Sequence, residues 1–274
     1  MPELPEVETI KNSLQPLLKD EMIRKVDVYY PGILRNMGSE EFASTAKDRC
    51  IKSVQRRGKY LLITLSDGYT LIIHLKMSGQ LVVTSAGEPV LKHTHLIFHL
   101  CADKQLRYID TRKFGMIFLV PDDDWSQTCG LRYLGPEPLE EEFTPKVLAD
   151  ALEERQIGIK AFLLDQSMIA GIGNIYADEI LFAAGIDPRR RTRSLNDKEK
   201  EQLYCSIRNK LTEGIANRGT TLRDYIDGLG GKGGFQAKLE VYGRKNKLCN
   251  RCGNELTGTV CSGRSTVYCP NCQK

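Results

Sequence analysis

Two closely spaced cysteine pairs at the end of the chain restrict its fold more than any other feature of the sequence. Two residues separate Cys249 from Cys252 and Cys269 from Cys272, and sixteen residues lie between the pairs. Each pair sits on a short turn that directs both thiolates toward one ion, and four thiolates favour zinc over harder metals. Such a site leaves no coordination position open, so the sequence predicts one structural Zn²⁺ ion in a ribbon.

The ribbon region is also the basic part of the chain. Residues 238–274 hold seven Lys or Arg against Glu240 and Glu255, a local net charge of +5, whereas the whole chain carries +4. A positive field confined to one module indicates where a polyanion would bind. Arg264 lies at the tip of the predicted hairpin, where it either reaches a phosphate or is simply solvated.

Short apolar stretches alternate with tight turns through most of the first 121 residues, which is typical of antiparallel strands. A helical stripe precedes them at Val7, Ile10, Leu14 and Leu17. Strands are predicted at Val26–Val28 and over 51–55, 59–65, 69–75, 80–84, 95–101, 105–110 and 114–120. This pattern predicts one helix followed by a β-sandwich or flattened barrel.

After Thr144 the apolar residues recur at the spacing of a helix. Helices are predicted over 145–154, 159–166, 174–184 and 197–217, with a short one from Thr220. Proline, glycine and acidic residues at 121–125 and 135–138 mark the boundary before them. We therefore expect an α+β multidomain protein. Its predicted domains are an N-terminal antiparallel β-sandwich with flanking helices (1–134), a helical domain (135–237) and a four-cysteine zinc ribbon (238–274).

Membrane and secretory classes are excluded by pattern. No charged segment precedes an apolar run, and no apolar stretch approaches the roughly 20 residues that span a bilayer. We expect a cytoplasmic protein without membrane contact, in which cysteines are thiols or metal ligands.

The first eight residues, MPELPEVE, combine two prolines with three carboxylates. If Met1 is removed, Pro2 becomes a free secondary amine, and an α-amino group with a pKa of about 8 is partly neutral near pH 7. A neutral amine can attack an electrophilic carbon and form a Schiff base, and Glu3 can move the protons. The alternative is that an acidic first turn merely caps a helix.

Motifs along nearly the whole chain resemble those of bacterial formamidopyrimidine-DNA glycosylases. They are PELPEVE at residues 2–8, QRRGKY at 55–60, HLKMSG at 74–79, DTRKFG at 110–115, LGPEP at 134–138, GIGNIY at 171–176, VYGR at 241–244 and the four-cysteine ribbon. The resemblance implies a bifunctional glycosylase and AP lyase for base-excision repair of oxidised purines. The implied partner is double-stranded DNA with oxidised purines or abasic sites, bound by a monomer.

The resemblance also implies residue roles. Pro2 would attack C1′ of the damaged nucleotide, Glu3 would donate and shuttle protons, Lys59 would assist β-elimination and Arg264 δ-elimination. A base inside a duplex must be flipped out, at a cost of a few kcal/mol, before such chemistry. The remaining implied DNA-contacting residues form a longer set: Met77, Arg112 and Phe114 as an intercalating triad, with His93, Arg155, Lys160, Asn174 and Tyr242.

The Gly171-x-Gly173 turn lies between two predicted helices and resembles the family's helix–two-turns–helix element, in which the helix that opens at Asn174 offers free N–H groups for phosphate. The five glycines within 228–234 resemble a recognition loop that closes over the everted base; a disordered connector is the alternative. Two rival functions stay open. One is an endonuclease VIII-like glycosylase for oxidised pyrimidines, and the other is a non-catalytic zinc-ribbon DNA-binding protein.

Overall fold

The computed structural model describes residues 1–122, 124, 128 and 130–274. Its contacts divide the chain into two compact units. The first unit comprises residues 1–132 and 217–234, and the second comprises 133–216 and 235–274. Part of the segment predicted to mark the boundary, around Trp125, lies outside the described residues.

The first unit is a sandwich of two four-stranded antiparallel sheets, as the sequence predicts. One sheet has the order β1-β6-β7-β5 and the other β2-β3-β4-β8. The strands are β1 Lys25–Val28, β2 Ile51–Arg57, β3 Tyr60–Leu65, β4 Tyr69–His74, β5 Gly79–Ser85, β6 Thr94–His99, β7 Lys104–Asp110 and β8 Met116–Pro121. Apolar side chains of both sheets fill one continuous core.

Helix α1 (Leu4–Leu18) contributes its apolar stripe to the same core, and α2 (Ser39–Ala46) flanks the sandwich. Val7, Ile10 and Leu14 are fully buried as expected, but the stripe ends at Leu18 and not at the predicted Leu17. Leu18 lies four positions after Leu14, which returns the chain to the same helix face. α1 therefore fixes its first turn against the sandwich.

The second unit contains the four helices predicted by the helical period. They are α3 (Pro145–Glu154), α4 (Ile159–Leu164), α5 (Asn174–Ala184) and α6 (Asp197–Ala216). Thr144 caps α3 through its hydroxyl, which accepts from Val147 N at 3.2 Å. The hairpin of β9 (Thr257–Cys261) and β10 (Arg264–Tyr268) completes the unit.

The segment from Thr220 does not form the predicted short helix. It has bends without helical hydrogen bonding, and residues 217–234 group with the β-sandwich. Its polar groups are instead satisfied by α1 and by its own side chains, an outcome that depends on tertiary packing and overrides local propensity. Within the described part of the chain, every helix falls short of the length and apolarity that crossing a bilayer requires.

Candidate active site and nucleic-acid interface

Pro2 and Glu3 are buried immediately before the first turn of α1. The carboxylate of Glu6 accepts a 2.8 Å hydrogen bond from Glu3 N, so the acidic turn does cap the helix. Capping and chemistry are compatible, because the cap fixes the backbone that carries the two residues. The backbone of Glu3 is thus bonded to the first turn of α1.

Charged groups surround the amino terminus. The terminal amine of the full chain belongs to Met1, and burial lowers its pKa below the usual value of 8.0. The carboxylates of Glu3, Glu6 and Asp224 oppose that shift, while the ammonium of Lys59 adds to it. An amine in these surroundings carries its lone pair at neutral pH more often than one in water.

Lys59 lies in the tight turn between β2 and β3, after Gly58, which has a φ of +56°. It is only 6% exposed. Burial lowers the pKa of the neighbouring His74 to about 3, with Lys76 and Lys59 adding to the shift. A neutral His74 keeps a further positive charge away from Lys59. His74 belongs to the HLKMSG motif, but the motif alone indicates no role for it.

A buried carboxylate connects the amino terminus to residues 217–234. Glu6 Oε1 accepts from Thr220 N at 2.7 Å, while its other oxygen accepts from Glu3 N. The glycine-rich stretch is anchored on α1 and β5 as well: Gly228 N donates to Ser13 Oγ at 2.9 Å and Gly228 O accepts from Val83 N at 3.0 Å. The sequence indicates Glu6 only as an acidic residue at the positive end of the helix dipole, and it gives no signal for Ser13.

Met77, Arg112 and Phe114 lie on two loops at one edge of the sandwich. The loop 75–78 joins β4 to β5, and 111–115 joins β7 to β8. Met77 is 43% and Phe114 51% exposed, which is unusual for large apolar side chains on short loops. The Arg112 guanidinium lies 4.7 Å from the Phe114 ring centroid, within cation–π range.

His93 lies in the turn before β6, beside the same edge. Its backbone has a φ of +71°, and its carbonyl accepts from Asp110 N at 3.0 Å. His93 therefore shares with Arg112 a connection to the end of β7.

In the second unit, Asn174 and Arg264 are brought close together. Asn174 is the first residue of α5, after Gly173, and its Nδ2 donates to Ser265 O at 3.0 Å. Its Oδ1 is buried and finds no hydrogen-bond partner among the described residues. Arg264 is exposed at the first position of β10, after the positive-φ turn of Ser262 and Gly263. The amide thus holds the hairpin one residue beyond Arg264.

The connection between α4 and α5 turns at residues 166–168 and bends at 169–171. Gln166 organises the connection: its Nε2 donates to Ile172 O at 2.8 Å and its Oε1 accepts from Gly171 N at 2.9 Å. Gly171 has a φ of +89°, a left-handed conformation that favours glycine.

Lys160 is not available for the DNA contact expected of it. It is fully buried, 2.6 Å from Asp178 Oδ1, and its Nζ donates to Thr266 Oγ1 at 2.7 Å. Burial raises the pKa of Asp178 to about 6 although Lys160 acts in the opposite direction. The pair instead joins α4, α5 and β10 in the second unit.

Arg155 and Tyr242, the other two candidates, lie in this unit without a shared site. Arg155 is exposed at the end of α3. Tyr242 N donates to Glu179 Oε1 at 2.9 Å, and the same carboxylate accepts from Val241 N and Glu240 N. Glu179, buried in α5, fixes the chain as it enters the ribbon.

The four predicted metal ligands converge. The Sγ atoms of Cys249, Cys252, Cys269 and Cys272 all lie within 4.8 Å of one another. The pairs Cys249–Cys272 and Cys252–Cys269 are 4.0 and 3.5 Å apart. Tetrahedral Zn²⁺ with Zn–S bonds of about 2.3 Å requires sulfurs about 3.8 Å apart, so the four thiolates fit one structural zinc ion.

Three family models match successive parts of the chain. Residues 1–117 match the formamidopyrimidine-DNA glycosylase N-terminal domain, and 134–225 match that family's H2TH domain. Residues 246–274 match the zinc finger found in FPG and IleRS. A formamidopyrimidine-DNA glycosylase of Pelotomaculum thermopropionicum is 50% identical over 274 residues, covering 100% of this chain and 99% of that protein.

Solved structures agree in fold along the whole chain. A mutant of the Lactococcus lactis FPG protein in complex with a Fapy-dG containing DNA has a TM-score of 0.93 at 36% identity, with both chains covered completely. The wild-type L. lactis protein with an oxidized pyrimidine containing DNA has a TM-score of 0.92 at 36% identity, again with complete coverage. This chain belongs to the formamidopyrimidine-DNA glycosylase family.

Proposed function

We propose that this protein excises oxidised purines, such as 8-oxoguanine and formamidopyrimidines, from duplex DNA and then cleaves the abasic strand. The observation that carries the proposal is the buried Pro2–Glu3 start of α1 with Lys59 beside it. An amine, a carboxylate and an ammonium at one point are the groups that Schiff-base chemistry requires. The second unit contributes the DNA-binding helices, and its four cysteines hold one structural zinc ion.

The chemistry begins once Met1 is removed and Pro2 carries the terminal amine. Its lone pair attacks C1′, the glycosidic bond breaks, and the base leaves with the bonding electrons and takes up the proton that the Pro2 nitrogen loses. Glu3 supplies a proton for opening of the sugar ring, which gives an iminium between Pro2 and C1′. Burial, which lowers the pKa of an amine here, favours the nucleophilic form.

Strand cleavage follows from the iminium. Loss of a C2′ proton breaks the C3′–O bond in β-elimination, assisted by Lys59. A second elimination breaks the C5′–O bond with Arg264 in support, leaves phosphate on both sides of a one-nucleotide gap, and water then releases the sugar remnant from Pro2. Arg264→Gln should therefore accumulate the β-elimination product, and an unchanged gap product would remove Arg264 from this role.

Access to the base requires eversion. Met77 and Phe114 act as apolar wedges that fill the vacated stack, and Arg112 bonds the orphaned opposite base. Their exposure supports this role. The glycine-rich loop 228–234, with Thr220 and Thr221, closes over the flipped nucleotide. The DNA backbone is contacted by Asn174, His93, Arg155 and Tyr242.

Borohydride trapping tests the nucleophile. Wild-type protein with an 8-oxoguanine duplex should form a covalent adduct that maps by mass spectrometry to Pro2, and intact mass should show that Met1 is absent. Pro2→Gly should trap far less. Full strand cleavage by that variant, or by protein that retains Met1, would contradict the assignment.

The rival functions separate in the same assays. A non-catalytic DNA-binding protein forms no borohydride adduct. An endonuclease VIII-like enzyme would excise thymine glycol faster than 8-oxoguanine opposite cytosine, a comparison made pertinent by the neighbour bound to oxidized pyrimidine DNA. We place the protein in the cytoplasm, on nucleoid DNA, as a monomer, which light scattering with and without duplex tests.

A further inference from the structure

We propose that Asp110 is a positioning residue that fixes both base-displacing loops in one arrangement before DNA is bound. The proposal rests on the proposed function, because it assigns Asp110 a task in eversion by Met77, Arg112 and Phe114. Asp110 touches no nucleotide itself in this scheme. It acts through the loops 75–78 and 111–115.

Strand pairing brings the two loops to one edge of the sandwich. Gly79, the first residue of β5, pairs with Asp110, the last residue of β7. In the other sheet, His74 at the end of β4 pairs with Met116 at the start of β8. Each loop therefore crosses from one sheet to the other at the same place.

The Asp110 carboxylate bonds to both loops. Oδ1 accepts from Ser78 Oγ at 2.5 Å and from Arg112 N at 3.1 Å. Oδ2 accepts from Gly115 N at 2.9 Å and from Tyr108 Oη at 3.2 Å. Ser78 follows Met77 directly, and Arg112 and Gly115 lie on either side of Phe114. The Asp110 side chain therefore bonds to residues beside both apolar wedges.

The surroundings leave this carboxylate little freedom. Asp110 is completely buried, and its backbone carbonyl bonds to His95 Nε2 at 2.7 Å. A Cβ at Gly115 would overlap the Tyr108 hydroxyl, so the loop closes tightly over this network. Burial by itself would raise the pKa of Asp110, but its hydrogen-bond donors outweigh burial and hold the pKa below the ordinary value.

Both loops carry a backbone conformation that costs free energy. Lys76 and Lys113 have φ values of +52° and +58°, although neither is glycine. Such residues persist where surrounding contacts over-determine them. The buried Asp110 carboxylate, which accepts from four donors, supplies that constraint. It fixes the loops although Met77 and Phe114 themselves stay exposed to solvent.

Asp110→Asn tests the inference, because an amide replaces one acceptor oxygen with a group that cannot accept from N–H. Single-turnover excision of 8-oxoguanine from duplex should fall at least tenfold, and preference for cytosine over adenine opposite the lesion should narrow. Elimination at an abasic site in single-stranded DNA, which needs no wedge, should stay within twofold. Ser78→Ala, a milder change, should shift the same quantities in the same direction by about threefold.

The matched control is Asp122→Asn. Asp122 accepts from Thr70 Oγ1 at 2.7 Å. It directly follows the end of β8, whereas the loops lie beside Met116 at the start of that strand. Asp122→Asn is therefore the same chemical change far from the loops. Duplex excision by Asp110→Asn and Ser78→Ala equal to this control would overturn the inference. An equal loss on duplex and single-stranded substrates would overturn it too, because it would indicate general damage. Failure of wild-type protein on both substrates would instead refute the proposed function.

Discussion

The carboxylate of Glu6 holds Thr220 and the start of α1 together: its two oxygens accept from Thr220 N at 2.7 Å and from Glu3 N at 2.8 Å. Glu6 and Thr220 are 214 positions apart in sequence. Residues 217–234 are therefore coupled to the buried turn that carries the proposed nucleophile. A substitution that breaks one of these two hydrogen bonds should therefore also affect the segment held by the other.

Glu6→Gln should weaken that link, because the amide keeps one acceptor and turns a donor toward an N–H group. Loss of one charge-assisted hydrogen bond with burial of an unmatched donor costs about 2 kcal/mol, or about thirtyfold. We expect the rate of 8-oxoguanine excision to fall by that factor, and the rate of cleavage at a preformed abasic site to fall by less. Glu41→Gln, an exposed change on α2, is the control, and equal rates in both variants would exclude coupling.

Removing zinc should separate DNA binding from the chemistry of the amine. Cys249→Ser leaves three thiolates, so the ribbon should lose its ion and unfold locally. DNA affinity should drop at least tenfold, while saturating abasic DNA still gives a borohydride adduct. Zinc content measured by mass spectrometry checks the first step, and undiminished affinity in zinc-free protein would remove the ribbon from the DNA interface.

Removal of one partner of the buried Lys160–Asp178 pair should lower stability more than replacement of both partners. Lys160→Met leaves Asp178 without its partner and should lower the free energy of unfolding by about 3–5 kcal/mol at pH 8. Adding Asp178→Asn removes the stranded charge and should recover much of that loss. Denaturant unfolding of the four proteins of this cycle measures it, and additive losses would show that the pair is not coupled.

His74 should make stability depend on pH in a defined window. Its native pKa is about 3, whereas an unfolded chain titrates near 6.5, so only the unfolded state takes up the proton between these values. This group lowers the free energy of unfolding by about 1.4 kcal/mol per pH unit below pH 6.5, and it contributes nothing above that.

His74→Gln removes this dependence, so the variant should gain stability relative to wild type as pH falls from 6.5 toward 4. Urea unfolding at several pH values gives the comparison. A difference between the two proteins that stays constant across this range would mean that His74 is protonated in the native state.

Local patterns were sufficient for most elements of the fold. Short apolar stretches bounded by tight turns predicted the strands of the two sheets, and β3, β4, β6, β7 and β8 are buried along nearly their whole length. Helices α3 and α5 begin and end at the predicted residues. The zinc site was predictable as well, because four thiolates at fixed spacing carry their chemistry with them. Pro2, Glu3 and Lys59 were also identified from sequence motifs, and their catalytic roles stay predictions.

Tertiary structure decided what depends on partners distant in sequence. Residues from Thr220 fold against α1 and not into a helix, and Glu6 accepts the hydrogen bond from Thr220 N. Lys160 resembles a surface cation in the sequence, and only the fold surrounds it with Asp178 and Thr266. Asp110 bonds to both loops only because strand pairing brings the two loops to its carboxylate. A sequence specifies the donors and acceptors, but only the folded chain determines which of them meet.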